Sequence, residues 1–238
     1  MTSELITNGT LRVGINFGNV LLANRDENAS PRGIAPDLAR ELARRLGVPP
    51  EFVTYESAGR MADGAKTGEW DVAFLATDPV RAEEIVFTAP YLEVGTTYLV
   101  GADSPITSPA EIDREGMRIS VSEKSAYDLF LTRNLQHASL IRAKTPGASV
   151  HLFFADRLDA LAGLRPFLID IASKHPGSRV LNGSFMTVQQ AVGVRKARDR
   201  GAAYLREFVE DVKASGFVAQ IIEKNGVLGA RVAASSPG

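Results

Sequence analysis

Two rhythms of apolar positions alternate along the chain. Short extended runs recur at Leu11–Ile15, Glu51–Thr54, Asp71–Leu75, Arg118–Val121, Ser139–Arg142 and Arg179–Leu181. Apolar runs of about five residues bounded by turn formers suit buried strands of a parallel sheet. Between them lie helical patterns. Pro36–Leu46 has apolar residues at 38, 39, 42, 43 and 46, one face of a helix, and Gly47 follows as a stop. Arg40, Glu41, Arg44 and Arg45 lie off that face and read as its solvated side. Helices are also expected over Gly59–Lys66, Tyr127–Leu135, Ser149–Ala155, Pro166–Ser173, Ala202–Ser215 and Val218–Lys224, with a short N-capped one at Ser108–Glu111. Asn24–Arg32 reads as a hairpin or loop, Thr96–Val100 and Met186–Val194 as extended, and the tail Val232–Gly238 as disordered. Strands alternating with helices predict an α/β fold.

One stretch carries candidate chemistry. The apolar run Trp70–Ala76 ends in the turn signal Asp78-Pro79, and Arg81 follows as a lone cation among apolar neighbours. Ligands of open α/β sheets bind beyond the carboxyl ends of strands, and an arginine there offers a planar fork of donors to a carboxylate. The competing reading pairs Arg81 with Glu83 or Glu84 on the surface.

The pattern Arg81-Ala-Glu-Glu-Ile-Val-Phe-Thr-Ala-Pro-Tyr91 resembles the R-x-x-x-[VI]-x-F-[ST]-x-P-Y signature of the family 3 extracellular solute-binding proteins. Leu11-Arg12-Val13-Gly14 resembles that family's opening strand, and Gly33-Ile34-Ala35-Pro36-Asp37-Leu38-Ala39 its G-[FI]-x-x-D-L-A helix. The resemblance is collinear from about Leu11 to Gly226. It implies a two-lobed fold of the type II periplasmic binding proteins, with two crossover hinge strands and a ligand cleft. Residues 1–97 with 191–238 are expected to form one lobe and residues 98–190 the other.

The resemblance also implies site residues. Arg81 would grip a carboxylate, with Thr77 beside it. Asn19 stands where relatives carry an aromatic lid, and Phe17 either supplies the missing ring or belongs to the core. Relatives read x-x-G-[TS]-[TS] where this chain has Ser122-Glu123-Lys124-Ser125-Ala126. Ser125 and the amides at Ala126 would hold the ligand carboxylate, a role compatible with N-capping the next helix. Lys124 in place of glycine would crowd the turn or add a cation. Arg165 and Gln189 are expected as further contacts. Amino-acid receptors of this kind hold the α-ammonium with an aspartate five residues after the Asp-Ala pair begins, and counting from Asp159 that position is Leu164. The implied function is capture of a small anionic solute for an ABC-transporter permease, by a periplasmic monomer. The alternative is an enzyme like the cyclohexadienyl dehydratases, which use a second-lobe acid; the nearest carboxylate here is Asp170, expected on a helix surface.

Composition narrows the field. Among 238 residues, 45% are hydrophobic, enough for one large core or two modest ones. The 27 basic and 28 acidic side chains give a net charge of −1 without a like-charge run, which argues against nucleic acid as partner. Zero cysteines exclude disulfides and thiolate chemistry. His137, His151 and His175 stand in separate segments, so no metal or other cofactor is expected. There is no Gly-x-Ser-x-Gly and no phosphate loop, and Gly14 with Gly18 makes no dinucleotide fingerprint. No catalytic residue is assigned, and the expectation is a receptor and not an enzyme. No apolar run approaches the roughly 18 residues that span a bilayer. Residues 1–10 have neither the basic nor the apolar region of a signal peptide, which keeps a cytoplasmic location open.

Overall fold

The computed structural model describes residues 3–236. In chain order it forms β1 (Leu11–Asn16), β2 (Asn24–Arg25), β3 (Pro31–Arg32), α1 (Ile34–Leu46), β4 (Pro50–Tyr55), α2 (Ala58–Thr67), β5 (Val72–Ala76) and β6 (Ile85–Gly101). Then come β7 (Arg118–Ser122), α3 (Ala126–Asn134), β8 (Ser139–Ala143), α4 (Pro146–Ala155), β9 (Ala160–Leu164), α5 (Arg165–Lys174) and β10 (Ser178–Val180). The last elements are β11 (Met186–Arg195), α6 (Asp199–Ala214), α7 (Phe217–Lys224) and β12 (Ala230–Val232). The chain divides into two units, Met1–Glu93 with Gln189–Gly238 (unit 1) and Val94–Val188 (unit 2).

In unit 1, β1 pairs in parallel with β4 on one side and β5 on the other, and β11 runs antiparallel to β5. Helix α1 buries Leu38, Ala39, Leu42 and Ala43, the stripe its periodicity predicts. It ends at Gly47, whose left-handed φ of 71° lets its N–H reach back to the last turn. Helix α2 packs Met61 and Ala65 against Trp70, Ala73, Leu75 and Ile85. The indole Nε1 of the fully buried Trp70 donates to the Met61 carbonyl at 2.8 Å, so that ring enters the core with its one polar atom satisfied.

Unit 2 repeats the arrangement. β7 lies between β8 and β9, parallel to both, and β6 runs antiparallel to β9. Successive strand residues serve opposite faces. Tyr98, Val100, Ala160 and Ala162 pack with Tyr127 and Leu131 of α3, whereas Leu99 and Leu161 pack with Phe153 of α4 and Leu168 of α5. Both faces are covered by helices, which is why these strands read as continuous apolar runs.

Two expectations are corrected. The extended stretch expected at Thr96 begins at Ile85. Its first half contains Thr88 and Pro90, which mask the strand in sequence. Order there comes from remote groups: Val192 N donates to Thr88 Oγ1 at 3.1 Å and Ala233 N to the Tyr91 carbonyl at 3.2 Å. The tail expected to be disordered instead contributes the end of β12 and docks. Arg231 pairs with Glu93 at 2.8 Å, and the buried Lys213 ammonium donates to the Ala234 carbonyl at 2.9 Å. Pro237 and Gly238 lie outside the described residues. Among the described residues no helix is long and apolar enough to cross a membrane, and no group of three His, Cys, Asp or Glu could hold a metal ion.

Candidate functional site

In unit 1 the chain passes from β1 to β4 on one flank and then to β5 on the other. Strand order therefore reverses between β1 and β5. The two helical connections diverge from such a point, leaving a crevice beyond the carboxyl ends of the strands. Phe17 and Asn19 follow β1, and Thr77 and Arg81 follow β5.

Arg81 lies in a single 3₁₀ turn (Arg81–Glu83) and is 5% exposed. It is therefore not the solvated partner of Glu83 or Glu84 that the surface reading required. Its Nη1 donates to the Ala76 carbonyl at 2.7 Å. Burial lowers its pKa to about 10, against the raising effect of Asp78 and Asp63, so it stays a cation at neutral pH. Asp78 opens this turn by accepting from Val80 N at 2.8 Å. Thr77 N donates to the Gln189 carbonyl at 2.9 Å, which brings Gln189 to the same end of β5. The Gln189 side chain is exposed and donates to Glu93 at 3.4 Å.

On the neighbouring strand end, Phe17 is buried, with the Arg25 guanidinium 4.0 Å from its ring centroid. The Asn19 Oδ1 is buried and accepts no hydrogen bond among the described residues. Gly18 makes this turn possible: a Cβ there would stand 2.4 Å from the Glu56 carbonyl oxygen.

Unit 2 has its own reversal, between β7 and β9. The turn Lys124–Ser125–Ala126 follows β7, and Arg165 follows β9. Ser125 Oγ caps α3 by accepting from Asp128 N at 3.1 Å, and Ala126 is the first helical residue. Lys124 is exposed and takes a left-handed φ of 54°, the conformation for which glycine is suited. Its N–H donates to Asp128 Oδ2 at 2.7 Å. Arg165 opens α5 and donates through Nη2 to the Gly183 carbonyl, while Leu164 before it is buried. The predicted residues thus form two groups, each gathered at the switch point of its own unit.

The sequence model of the bacterial extracellular solute-binding proteins, family 3, matches residues 11–227. The chain belongs to that family. A curated relative, the probable amino-acid ABC transporter periplasmic-binding protein y4tE of Sinorhizobium fredii, is 21% identical over 155 residues, 63% of this chain. The match spans about half of that relative, 52% of its length. Among solved structures, a P235GK mutant of the arginine-binding protein ArgBP from T. maritima superposes with a TM-score of 0.80 at 22% identity, covering 94% of this chain and 97% of the other. The ancestral amino acid-binding protein AncCDT-1, a precursor of cyclohexadienyl dehydratase, gives 0.78 at 23%, covering 94% and 98%. Likeness at this identity establishes the fold, that of the type II periplasmic binding proteins.

Two residues beside the Ser125 turn have roles that their sequence positions did not suggest. Asp128, 3% exposed, binds the Lys124 amide and accepts from Arg142 Nε at 2.9 Å, so it fixes the whole Ser125 turn. The Ser125-x-x-Asp128 spacing is a capping signal that could have revealed it. Tyr127 is buried beside Ser125; burial pushes its phenol up to about 12, with the Ser125 hydroxyl pulling the other way.

Proposed function

We propose that this family 3 protein is a non-catalytic receptor for a small organic carboxylate that lacks an α-ammonium group. Arg81 takes the carboxylate, assisted by Thr77, Asn19 and Phe17. The turn Lys124–Ser125–Ala126 supplies a hydroxyl, amides and a cation, with Arg165 and Gln189 as outer contacts. What supports this most is that strand order reverses beside Arg81 in one unit and beside Ser125 in the other, the position where α/β sheets take ligands. Leucine at 164, followed by Arg165, leaves a buried ammonium without a counter-charge, which costs several kcal/mol. Asp78 accepts from its own turn, and Glu56 is an exposed partner of Arg25, so neither substitutes readily. The protein works as a periplasmic monomer that hands its solute to an ABC-transporter permease.

A thermal-shift panel of mono- and dicarboxylates beside the twenty standard amino acids tests this. A cognate ligand at about 100 times its dissociation constant stabilises by about 2.7 kcal/mol. Stabilisation by carboxylates and not by amino acids is the expected result. Micromolar binding of an ordinary α-amino acid would overturn it, and turnover of prephenate or arogenate would establish the enzyme reading instead.

A further inference from the structure

We propose that unit 1 carries a site for a small oxyanion, built on Arg195 with Arg198 and Arg12, at the amino ends of β1 and β5. This is the opposite end of those strands from Phe17 and Arg81. Arg12 is the second residue of β1, Arg195 is the last of antiparallel β11, and Arg198 precedes α6.

Asp71, fully buried just before β5, is the carboxylate at the centre. Its Oδ1 accepts from Thr7 Oγ1 at 2.8 Å, Arg12 Nη2 at 2.9 Å and Arg198 Nη1 at 3.1 Å. Its Oδ2 accepts from the Arg12 amide at 3.2 Å and Arg12 Nε at 3.0 Å. A carboxylate offers about four lone-pair sites, so Asp71 is saturated by these donors. Glu4 is engaged as well, accepting from Gly201 N at 2.9 Å, and Glu51 accepts from Thr10 Oγ1 at 3.3 Å on the Arg12 side.

Arg195 donates no hydrogen bond to this set, and the charge of Asp71 acts on it only at a distance. Its Nε is buried and has no acceptor among the described residues. Its Nη1 lies 2.6 Å from where a Cβ on Gly68 would stand, so the guanidinium packs over the glycine that closes α2. Burial, followed by the neighbouring charge of Arg198, lowers its pKa. Arg12 and Arg198 share the buried Asp71 carboxylate, and the charge of Arg195 lies next to theirs, near the start of α6, where Glu4 accepts from the Gly201 amide. Planar guanidinium forks match the oxygens of phosphate, sulfate or a carboxylate, and a bound oxyanion would supply the acceptors that Arg195 lacks.

Inorganic phosphate is the probe. At matched ionic strength, phosphate should raise the melting temperature of the wild-type protein more than chloride does. In the amide spectrum it should shift Gly68, Lys196 and Gly201. Arg195→Met should weaken phosphate binding by about tenfold or more, the scale expected for losing charge-assisted hydrogen bonds, and Arg195→Lys, which keeps the charge but not the fork, should weaken it less. Arg81→Ala should leave the phosphate effect intact, which separates this site from the proposed solute site. The inference is overturned if phosphate acts no better than chloride, if Arg195→Met responds as wild type does, or if the response disappears with Arg81.

Discussion

Arg81 Nη1 donates to the carbonyl oxygen of Ala76 at 2.7 Å, so the cation beyond the turn is tied back to the last residue of β5. The guanidinium is thereby held in one orientation and is nearly closed to water. Preorganisation of this kind lowers the entropy cost of gripping a carboxylate.

Arg81→Lys keeps a positive charge near Asp78 and Asp63 but removes the planar fork. Affinity for the carboxylate ligand is expected to fall by about 1.5–3 kcal/mol, the range for hydrogen bonds to charged groups. The circular dichroism spectrum should be unchanged. Calorimetric titration of both proteins measures the difference, and equal affinities would remove Arg81 from the site.

Asp71→Asn is expected to destabilise the protein by about 3–5 kcal/mol, because it breaks a buried pair and leaves guanidinium groups uncompensated. Burial alone would raise the Asp71 pKa, but hydrogen bonds from the Arg12 side chain, Thr7 and the Arg12 amide outweigh it and hold it below the usual range. A carboxyl with a depressed folded pKa contributes fully above its unfolded value, about pH 4, and loses that contribution as pH falls through the folded value. Urea unfolding at neutral and acid pH should therefore show wild type losing more stability on acidification than Asp71→Asn.

Lys124→Gly should have opposite effects on stability and binding. Relief of the left-handed backbone is expected to stabilise the protein by about 0.5–1 kcal/mol. Loss of the ammonium should weaken capture of an anionic ligand. A Tm that rises while affinity falls is the expected pair of results; unchanged affinity would limit Lys124 to shaping the turn.

Ending the chain after Gly229 removes β12, the Ala233–Tyr91 hydrogen bond, the Arg231–Glu93 pair and one acceptor of the buried Lys213 ammonium, which keeps Glu210 at 2.8 Å. A loss of about 1–3 kcal/mol is expected, the sum of a few lost hydrogen bonds. Denaturant midpoints of the two lengths compare directly, and identical values would show that the tail contributes nothing.

These sites differ in how visible they are in sequence. The α1 stripe and Gly47 were legible because period and stop coincide within a few residues. Arg81 was legible because a strand, a turn and a cation follow each other directly. The Asp71 cluster was not, since its partners Thr7, Arg12 and Arg198 come from distant segments and Asp71 looks like the flank of an apolar run. The first half of β6 and the docked tail were hidden for a related reason: their hydrogen bonds come from remote backbone, which no local propensity encodes. The burial of Arg81 was equally invisible, because neighbouring Glu83 and Glu84 suggested a solvated turn.

The division of the chain also has a consequence in time. Unit 2 is one uninterrupted stretch, Val94–Val188, whereas unit 1 needs β11, α6 and α7 from beyond it. On the ribosome, unit 2 is therefore complete while the first-made strands β1, β4 and β5, which pair with one another, still lack β11, α6 and α7. Domains fold as units during synthesis. Here the segment with every partner in hand is the later one, so unit 1 is completed only when the last-made helices arrive.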